Sequence, residues 1–377
     1  MNVQEKIQKM ESARGKNHPL SMFRAWLDAY VPDYKKLKMI QIGGTNGKGS
    51  TCQWMNRILQ KEGFKVGMFT SPHLVTHQER IRINERLIPL EDWERIYDRY
   101  VRLFEEKHMT MFEMDLWMAL VYFVEQEVDY ALIEVGMGGR LDATTALDYI
   151  AKAITNVGKD HMEFLGNTVE EIAVEKAGIF RENIPVYTSE RRCFEVLKQE
   201  AVKVKTPLYL AEYDLTGLDL SSVASYQKEN LRLALSILEG LKLLDSSVLP
   251  GVISSFNWDG RFMVLRKHPL LLVDGAHNMP GIQALVSSLS AFSGHIYFSV
   301  LKEKEAEDMI NLLKTLKCPI TLVDFDSYRL YDLTELKKRF ELEIIEFEEL
   351  IDLLQTTNEN SLVCGSLYFV GDVLKNL

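Results

Sequence analysis

Apolar positions along this chain fall into short runs separated by stretches of helical period. Met39-Ile40-Gln41-Ile42 is one such run; it stops at a cluster of glycines, after which Cys52, Met55, Ile58 and Leu59 recur along one helix face. Strand, loop and helix follow in that order, the helix beginning near Ser50. Gly63 stands where a helix C-cap would, and residues 65–69 read as a second strand, completing a βαβ unit.

The alternation continues. Strands are expected at 130–135, 151–157 and 184–187, helices at 114–126 and 169–177, so the sheet should be mostly parallel with both faces covered. Ligands then belong at the carboxyl ends of its strands. The rhythm weakens from 198 to 225, where the polar run 214–222 reads as a loop or short β segment, and a helix returns at 227–243. A turn at Leu249-Pro250-Gly251 and an irregular stretch at 254–259 place a domain boundary near Phe256. Beyond it, apolar segments at 270–273, 295–300, 320–325, 344–347 and 362–363 alternate with helical ones. The fold class is therefore α/β: a P-loop-type, mostly parallel domain over 1–256 followed by a smaller Rossmann-like domain over 257–377.

Composition narrows the function classes. The 377 residues suit two cores. A net charge of −10 argues against a sequence-independent nucleic-acid binder, and no apolar run approaches a membrane span. The cytoplasm is the expected compartment, and nothing in the pattern calls for assembly beyond a monomer. Cys52, Cys193, Cys318 and Cys364 lack metal-ligand or redox spacing and read as reduced and structural.

The glycine cluster, Gly43-Gly44-Thr45-Asn46-Gly47-Lys48-Gly49-Ser50, carries the first chemistry. Glycines let a backbone turn tightly and point amides at phosphate oxygens, a following helix adds its positive end, and Lys48 balances the terminal phosphates. The spacing departs from G-x-x-x-x-G-K-[ST], because Ile42 takes the first glycine position and Gly49 separates Lys48 from Ser50. The loop implies triphosphate binding without separating a ligase from a kinase or GTPase. Glu134, at a strand end before a glycine-rich turn, can reach a cation held there.

Further blocks stand in order: Thr70-Ser71-Pro72-His73-Leu74, Glu79-Arg80-Ile81-Arg82-Ile83-Asn84, Glu134-Val135-Gly136-Met137-Gly138-Gly139-Arg140-Leu141-Asp142-Ala143-Thr144, Thr155-Asn156-Val157-Gly158-Lys159-Asp160-His161, and Glu175-Lys176-Ala177-Gly178-Ile179. Trp258-Asp259-Gly260-Arg261, Asp274-Gly275-Ala276-His277-Asn278 and Gly365-Ser366-Leu367-Tyr368 follow. Together with the loop they resemble the Mur ligase superfamily in the form of folylpolyglutamate synthase and dihydrofolate synthase, over nearly the whole chain. That resemblance implies an ATP-dependent ligase joining L-glutamate to the carboxylate of a folate or of dihydropteroate through an acyl phosphate.

It also implies roles. Asn46, Gly47, Lys48, Gly49, Ser50, Thr51, Asn230, Arg261 and Asp274 would contact ATP. Ser71, Glu134 and His161 would hold Mg²⁺, two ions being expected, and Thr110, Phe112, Glu113, Arg140, Leu141 and Asp142 would meet the pterin. Lys48, Lys176, His161 and His277 would serve catalysis, His277 near the incoming amino acid. Read from the residues alone, Lys176 is a solvated lysine or a partner of its helix dipole; the resemblance makes it a carbamate. Phe112 can be a stacking face or a core helix start. His73 and His77 read as loop residues near substrate.

The pattern departs from the family at Ala224-Ser225-Tyr226-Gln227, where Gly-x-His-Gln is usual, at Asp259 in place of proline, and at Met279-Pro280. Rival readings are another Mur-type ligase acting on a uridine-linked muramyl acid, which the Arg140-Leu141-Asp142 block opposes, and a catalytically silent ATP-binding paralogue, which the intact Ser71, Glu134, His161 and Lys176 oppose.

Overall fold

A computed structural model describes residues 2–13, 15, 18–289, 291–302, 304–327 and 329–377. The chain divides into two compact units, one formed by Met1–Ser222 with Glu229–Phe256, the other by Val223–Lys228 with Asn257–Leu377.

The first unit is built on an eight-stranded sheet: β1 (Met39–Gly43), β2 (Val66–Phe69), β3 (Ile81–Ile83), β4 (Arg86–Leu87), β5 (Tyr130–Glu134), β6 (Ala151–Ile154), β7 (Val186–Thr188) and β8 (Leu208–Leu210), in the order β4-β3-β2-β5-β1-β6-β7-β8. All neighbours are parallel except β2/β3 and β3/β4. β1 is central and fully buried, as a strand with covered faces must be. The helix Met111–Glu125 is buried on every side from Glu113 to Phe123, so its apolar residues follow no single stripe. Trp93, Trp117, Phe69 and Phe123 fill the adjoining core, each large side chain contributing on the order of 2–3 kcal/mol by burial.

Several boundaries differ from the sequence expectation for identifiable reasons. The helix expected over 114–126 begins at Met111, because Thr110 caps it and the Glu113 side chain bonds back to the Thr110 amide. β6 ends at Ile154 instead of running to 157, because Thr155 and Asn156 turn aside to bind Asn46. Leu249-Pro250-Gly251 is no turn: it opens the helix Leu249–Ser254, with proline in the first turn, where a missing N–H costs nothing. The segment 79–84, for which no strand is expected from the sequence, includes β3, and 214–222 is loop.

The second unit holds a six-stranded sheet of β9 (Met263–Lys267), β10 (Leu270–Asp274), β11 (His295–Phe298), β12 (Ile320–Asp324), β13 (Glu343–Glu346) and β14 (Ser361–Cys364), ordered β13-β12-β11-β14-β10-β9. Only β9 runs antiparallel, to β10. No helix among the described residues is long and apolar enough to cross a membrane. All four cysteines are free, and Cys52, Cys193 and Cys364 are buried.

Candidate active site

Register brings the chemistry of the first unit together. Ile42 of β1 pairs with Glu134 of β5, Phe69 of β2 pairs with Ile133, and Gly43 pairs with Ile154 of β6. The loops leaving β1, β2, β5 and β6 therefore emerge side by side at the carboxyl edge, where strand order reverses direction around β1.

The loop after β1 is shaped by its glycines. Gly44 (φ +138°) and Gly47 (φ +82°) adopt left-handed backbone, and a Cβ on Gly47 would sit 2.3 Å from Asn230 Oδ1. The following helix, Lys48–Lys61, starts at Lys48, earlier than its apolar face suggests, with Gly47 as its N-cap. Thr51 N–H is the donor to the Gly47 carbonyl, so the amides of residues 48–50 precede the helical ladder and face the loop's mouth.

Three side chains converge there. The Ser71 amide donates to Glu134 Oε2 at 3.1 Å, and Lys48 Nζ lies 3.8 Å from Glu134 Oε1 while donating to the Thr45 carbonyl at 3.2 Å. Lys176 approaches from the other side, its Nζ donating to the Gly44 carbonyl at 2.9 Å. It is only 2% exposed, which corrects the reading of a solvated lysine. Burial, and then the charge of Lys48, pull its amine down to about 7.

His161 stands seven residues beyond β6, with left-handed backbone, a half-exposed ring and Nε2 4.0 Å from Asp160 Oδ1. Around the expected pterin positions, Thr110 Oγ1 and N both donate to Glu113, whose carboxylate also meets His18 Nδ1 at 3.0 Å. Asp142 is buried and accepts from the Gly136, Met137 and Thr144 amides, bracing the glycine turn. Burial pushes its carboxyl up against those donors. Phe112 is half-buried and packs 5.4 Å from Phe69, whereas Leu141 is 80% exposed and Arg140 reaches Glu175 at 3.2 Å.

In the second unit, Asp274 ends β10 fully buried. Its Oδ2 accepts from Tyr226 Oη at 2.7 Å and the Phe262 amide at 2.7 Å, its Oδ1 from the Ala276 amide at 2.8 Å. Burial raises its pKa despite these donors. Arg261 Nη1 donates to the Gly260 carbonyl at 3.1 Å. His277 Nδ1 donates to the Gly275 carbonyl at 2.8 Å, which makes Nδ1 the protonated nitrogen.

Residues 42–211 match the model of the Mur ligase middle domain. The chain is 31% identical to dihydrofolate synthase/folylpolyglutamate synthase of Bacillus subtilis across 91% of each chain. It belongs to that family. The folylpolyglutamate synthase of Thermotoga maritima superposes with a TM-score of 0.86 at 29% identity, covering 99% of this chain and 96% of that one. A bifunctional folylpolyglutamate synthase/dihydrofolate synthase with Mn, AMPPNP and L-glutamate bound gives 0.89 at 26% identity, covering 99% and 97%.

Within this folylpolyglutamate synthase fold, sequence reasoning missed the second layer beneath the phosphate loop. Thr45 N donates to the Asn156 carbonyl at 2.9 Å, Asn46 N to Asn156 Oδ1 at 3.0 Å, and Thr155 Oγ1 to the Asn46 carbonyl at 2.6 Å. The sequence block that holds Thr155 and Asn156 suggests no role for them; a polar Thr-Asn pair directly after a short strand is the available signal. Tyr226 was noted only as a departure, and its bond to Asp274 is a three-dimensional fact. His77, read as a loop residue, is buried between Glu11 and Asp115.

Proposed function

We propose that this chain is an ATP-dependent ligase that adds L-glutamate to a folate-type carboxylate, acting on tetrahydrofolates, on dihydropteroate or on both. The observation that carries the reading is the meeting of Lys48, Ser71 and Glu134 at the mouth of a left-handed glycine loop. ATP phosphorylates the substrate carboxylate to an acyl phosphate, the glutamate amine attacks the acyl carbon, and phosphate leaves. The loop amides and Lys48 hold the phosphates, and Lys48 with Arg261 neutralises charge on the transferred group.

Ser71 and Glu134 are hard oxygen donors of the kind magnesium prefers. With His161 they would hold Mg²⁺, two ions in our reading, which when bound would act as Lewis acid on the phosphates. Lys176 is suited to carbamylation: an amine near pKa 7 is substantially unprotonated at neutral pH, attacks carbon dioxide through its lone pair and releases a proton to solvent. The resulting anion would replace a buried cation beside Lys48. Asn46, Gly47, Gly49, Ser50, Thr51, Asn230 and Asp274 complete the ATP contacts, Asp274 on the sugar side. Thr110, Phe112, Glu113, Arg140, Leu141 and Asp142 shape the pterin site, with Phe112 and Leu141 supplying its apolar surface. His277 would serve near the incoming glutamate. The chain works as a monomer.

The test is phosphate release from ATP and magnesium with L-glutamate and, in turn, dihydropteroate, tetrahydrofolate or a uridine-linked muramyl acid. Release with one or both pterins is expected; silence with both, or release only with the muramyl acid, sinks the reading.

A further inference from the structure

The loop that carries Ser71 continues into a second cluster that the ligase chemistry does not use. Glu11 Oε1, from the last turn of the helix Val3–Ser12, lies 3.0 Å from His77 Nδ1 and 3.7 Å from His73 Nε2. Among the described residues, these three ligand atoms all fall within 4.8 Å of one another. A tetrahedral ion with bonds of about 2.0–2.1 Å holds its ligand atoms about 3.3 Å apart. The two measured separations bracket that distance.

We infer that Glu11, His73 and His77 form a binding site for one divalent transition-metal cation of the zinc class, separate from the ATP-bound magnesium. Two imidazoles and one carboxylate favour zinc over magnesium, which prefers oxygen ligands alone. The surroundings have the form a zinc site requires. His77 Nε2 lies 2.7 Å from the buried carboxylate of Asp115, the outer partner that fixes the ring and exposes Nδ1 to a metal. Trp93 packs edge-on against the same ring. Glu11 is on the surface, so a cation and its fourth ligand, water, can enter from solvent.

Proton positions follow. Without the cation both ring nitrogens of His77 face carboxylates, Nδ1 that of Glu11 at 3.0 Å and Nε2 that of Asp115 at 2.7 Å, so each nitrogen carries a proton. On binding, the His77 Nδ1 proton leaves to solvent as the nitrogen–metal bond forms. His73 Nδ1 accepts from Arg80 Nε at 3.0 Å, so its own proton sits on Nε2 and must pass to Nδ1. Arg80 then needs another acceptor. Its Nη1 lies 3.4 Å from Asp115 Oδ2, a buried oxygen without a hydrogen-bond partner, and can close on it as Nε gives up His73. A bound ion would tie the N-terminal helix to the loop two residues past Ser71.

The experiment is calorimetric titration of the full chain with zinc chloride in a large excess of magnesium, without nucleotide. One saturating equivalent is expected, weakened about tenfold or more in Glu11→Gln and in His77→Gln, and unchanged in Glu134→Gln. Cobalt(II) should bind with the intense visible absorption of a tetrahedral site, lost in Glu11→Gln. No saturable binding, wild-type affinity in the cluster variants, or loss of binding in Glu134→Gln overturns the proposal. Should His77→Gln fail to fold, Glu11→Gln, at a surface position, decides alone. Failure here leaves the ligase reading intact, since phosphate release with a pterin is measured separately.

Discussion

The carboxyl ends of the two sheets handle charge in opposite ways. At the end of β1, two lysines crowd one loop, and their donors fall back on its carbonyls, Lys48 on Thr45 and Lys176 on Gly44. Glu134 is the neighbouring carboxylate, at 3.8 Å from Lys48. At the end of β10, by contrast, Asp274 is already satisfied by one phenol and two amides. The first end is a basic cradle suited to an added anion; the second is a finished network that sets the position of one carboxylate. Substitutions in the first should therefore strike chemistry, and those in the second should strike stability and nucleotide affinity.

The sharpest break is Lys48→Met, which removes one of the cradle's two lysines. Turnover in the phosphate-release assay should fall by about 10²–10³-fold, the usual cost of losing one charge-stabilising donor, with thermal stability nearly unchanged. A loss of folding in place of turnover would erase the contrast between the two ends.

Lys176→Ala comes next, with a fall of about 10²-fold expected and partial rescue by added short carboxylates; unrescued loss would leave Lys176 a structural residue. The same side chain gives a pH signature. Its folded pKa, about 7, lies below the unfolded value near 10.4, so between those values the unfolded chain binds more protons than the folded one. Unliganded protein in carbon-dioxide-free buffer should thus gain stability from this group as pH rises from about 7 to 10, by up to about 1.4 kcal/mol per unit. Urea midpoints of wild type relative to Lys176→Met read this directly; a flat difference contradicts it.

On the other side, Tyr226→Phe removes the phenol from Asp274 and leaves a buried oxygen one donor short. A stability loss of about 1–2 kcal/mol is expected, with KM for ATP raised about tenfold and kcat little changed. Tyr226→His, which restores the residue usual in the family, should recover part of the ATP affinity. A kcat loss matching that of Lys48→Met would show that both ends belong to the chemistry.

How far the sequence discloses this depends on the range of each interaction. Strands such as β1, β5 and β10 were legible because an apolar run bounded by glycine or a charged residue is a local signal, and Lys48 and Glu134 because a glycine loop and a strand-end carboxylate are local chemistry. Lys176 was misread from its own neighbourhood, since its burial is created by the glycine loop 132 residues away in the chain. The start of the helix Met111–Glu125 was lost for the opposite reason: burial on all sides erases the stripe that marks a helix face, leaving the Thr110–Glu113 capping box as the signal. Asn156 and Tyr226 act through contacts that no spacing rule encodes.

The smallest predicted effect tests a residue with no partner to lose. Leu141 projects 80% exposed from the turn that Asp142 braces, an apolar side chain for which the fold gives no packing reason. Leu141→Ser should leave the melting temperature within the change of about 0.5 kcal/mol typical of surface sites. If the side chain lies against a pterin-bearing substrate, losing it costs about 1 kcal/mol of binding, in the range of small apolar contacts in a pocket. KM for the pterin should then rise severalfold while KM for ATP stays fixed. An unchanged pterin KM removes Leu141 from the site and leaves Phe112, held against Phe69, as the apolar face to test next.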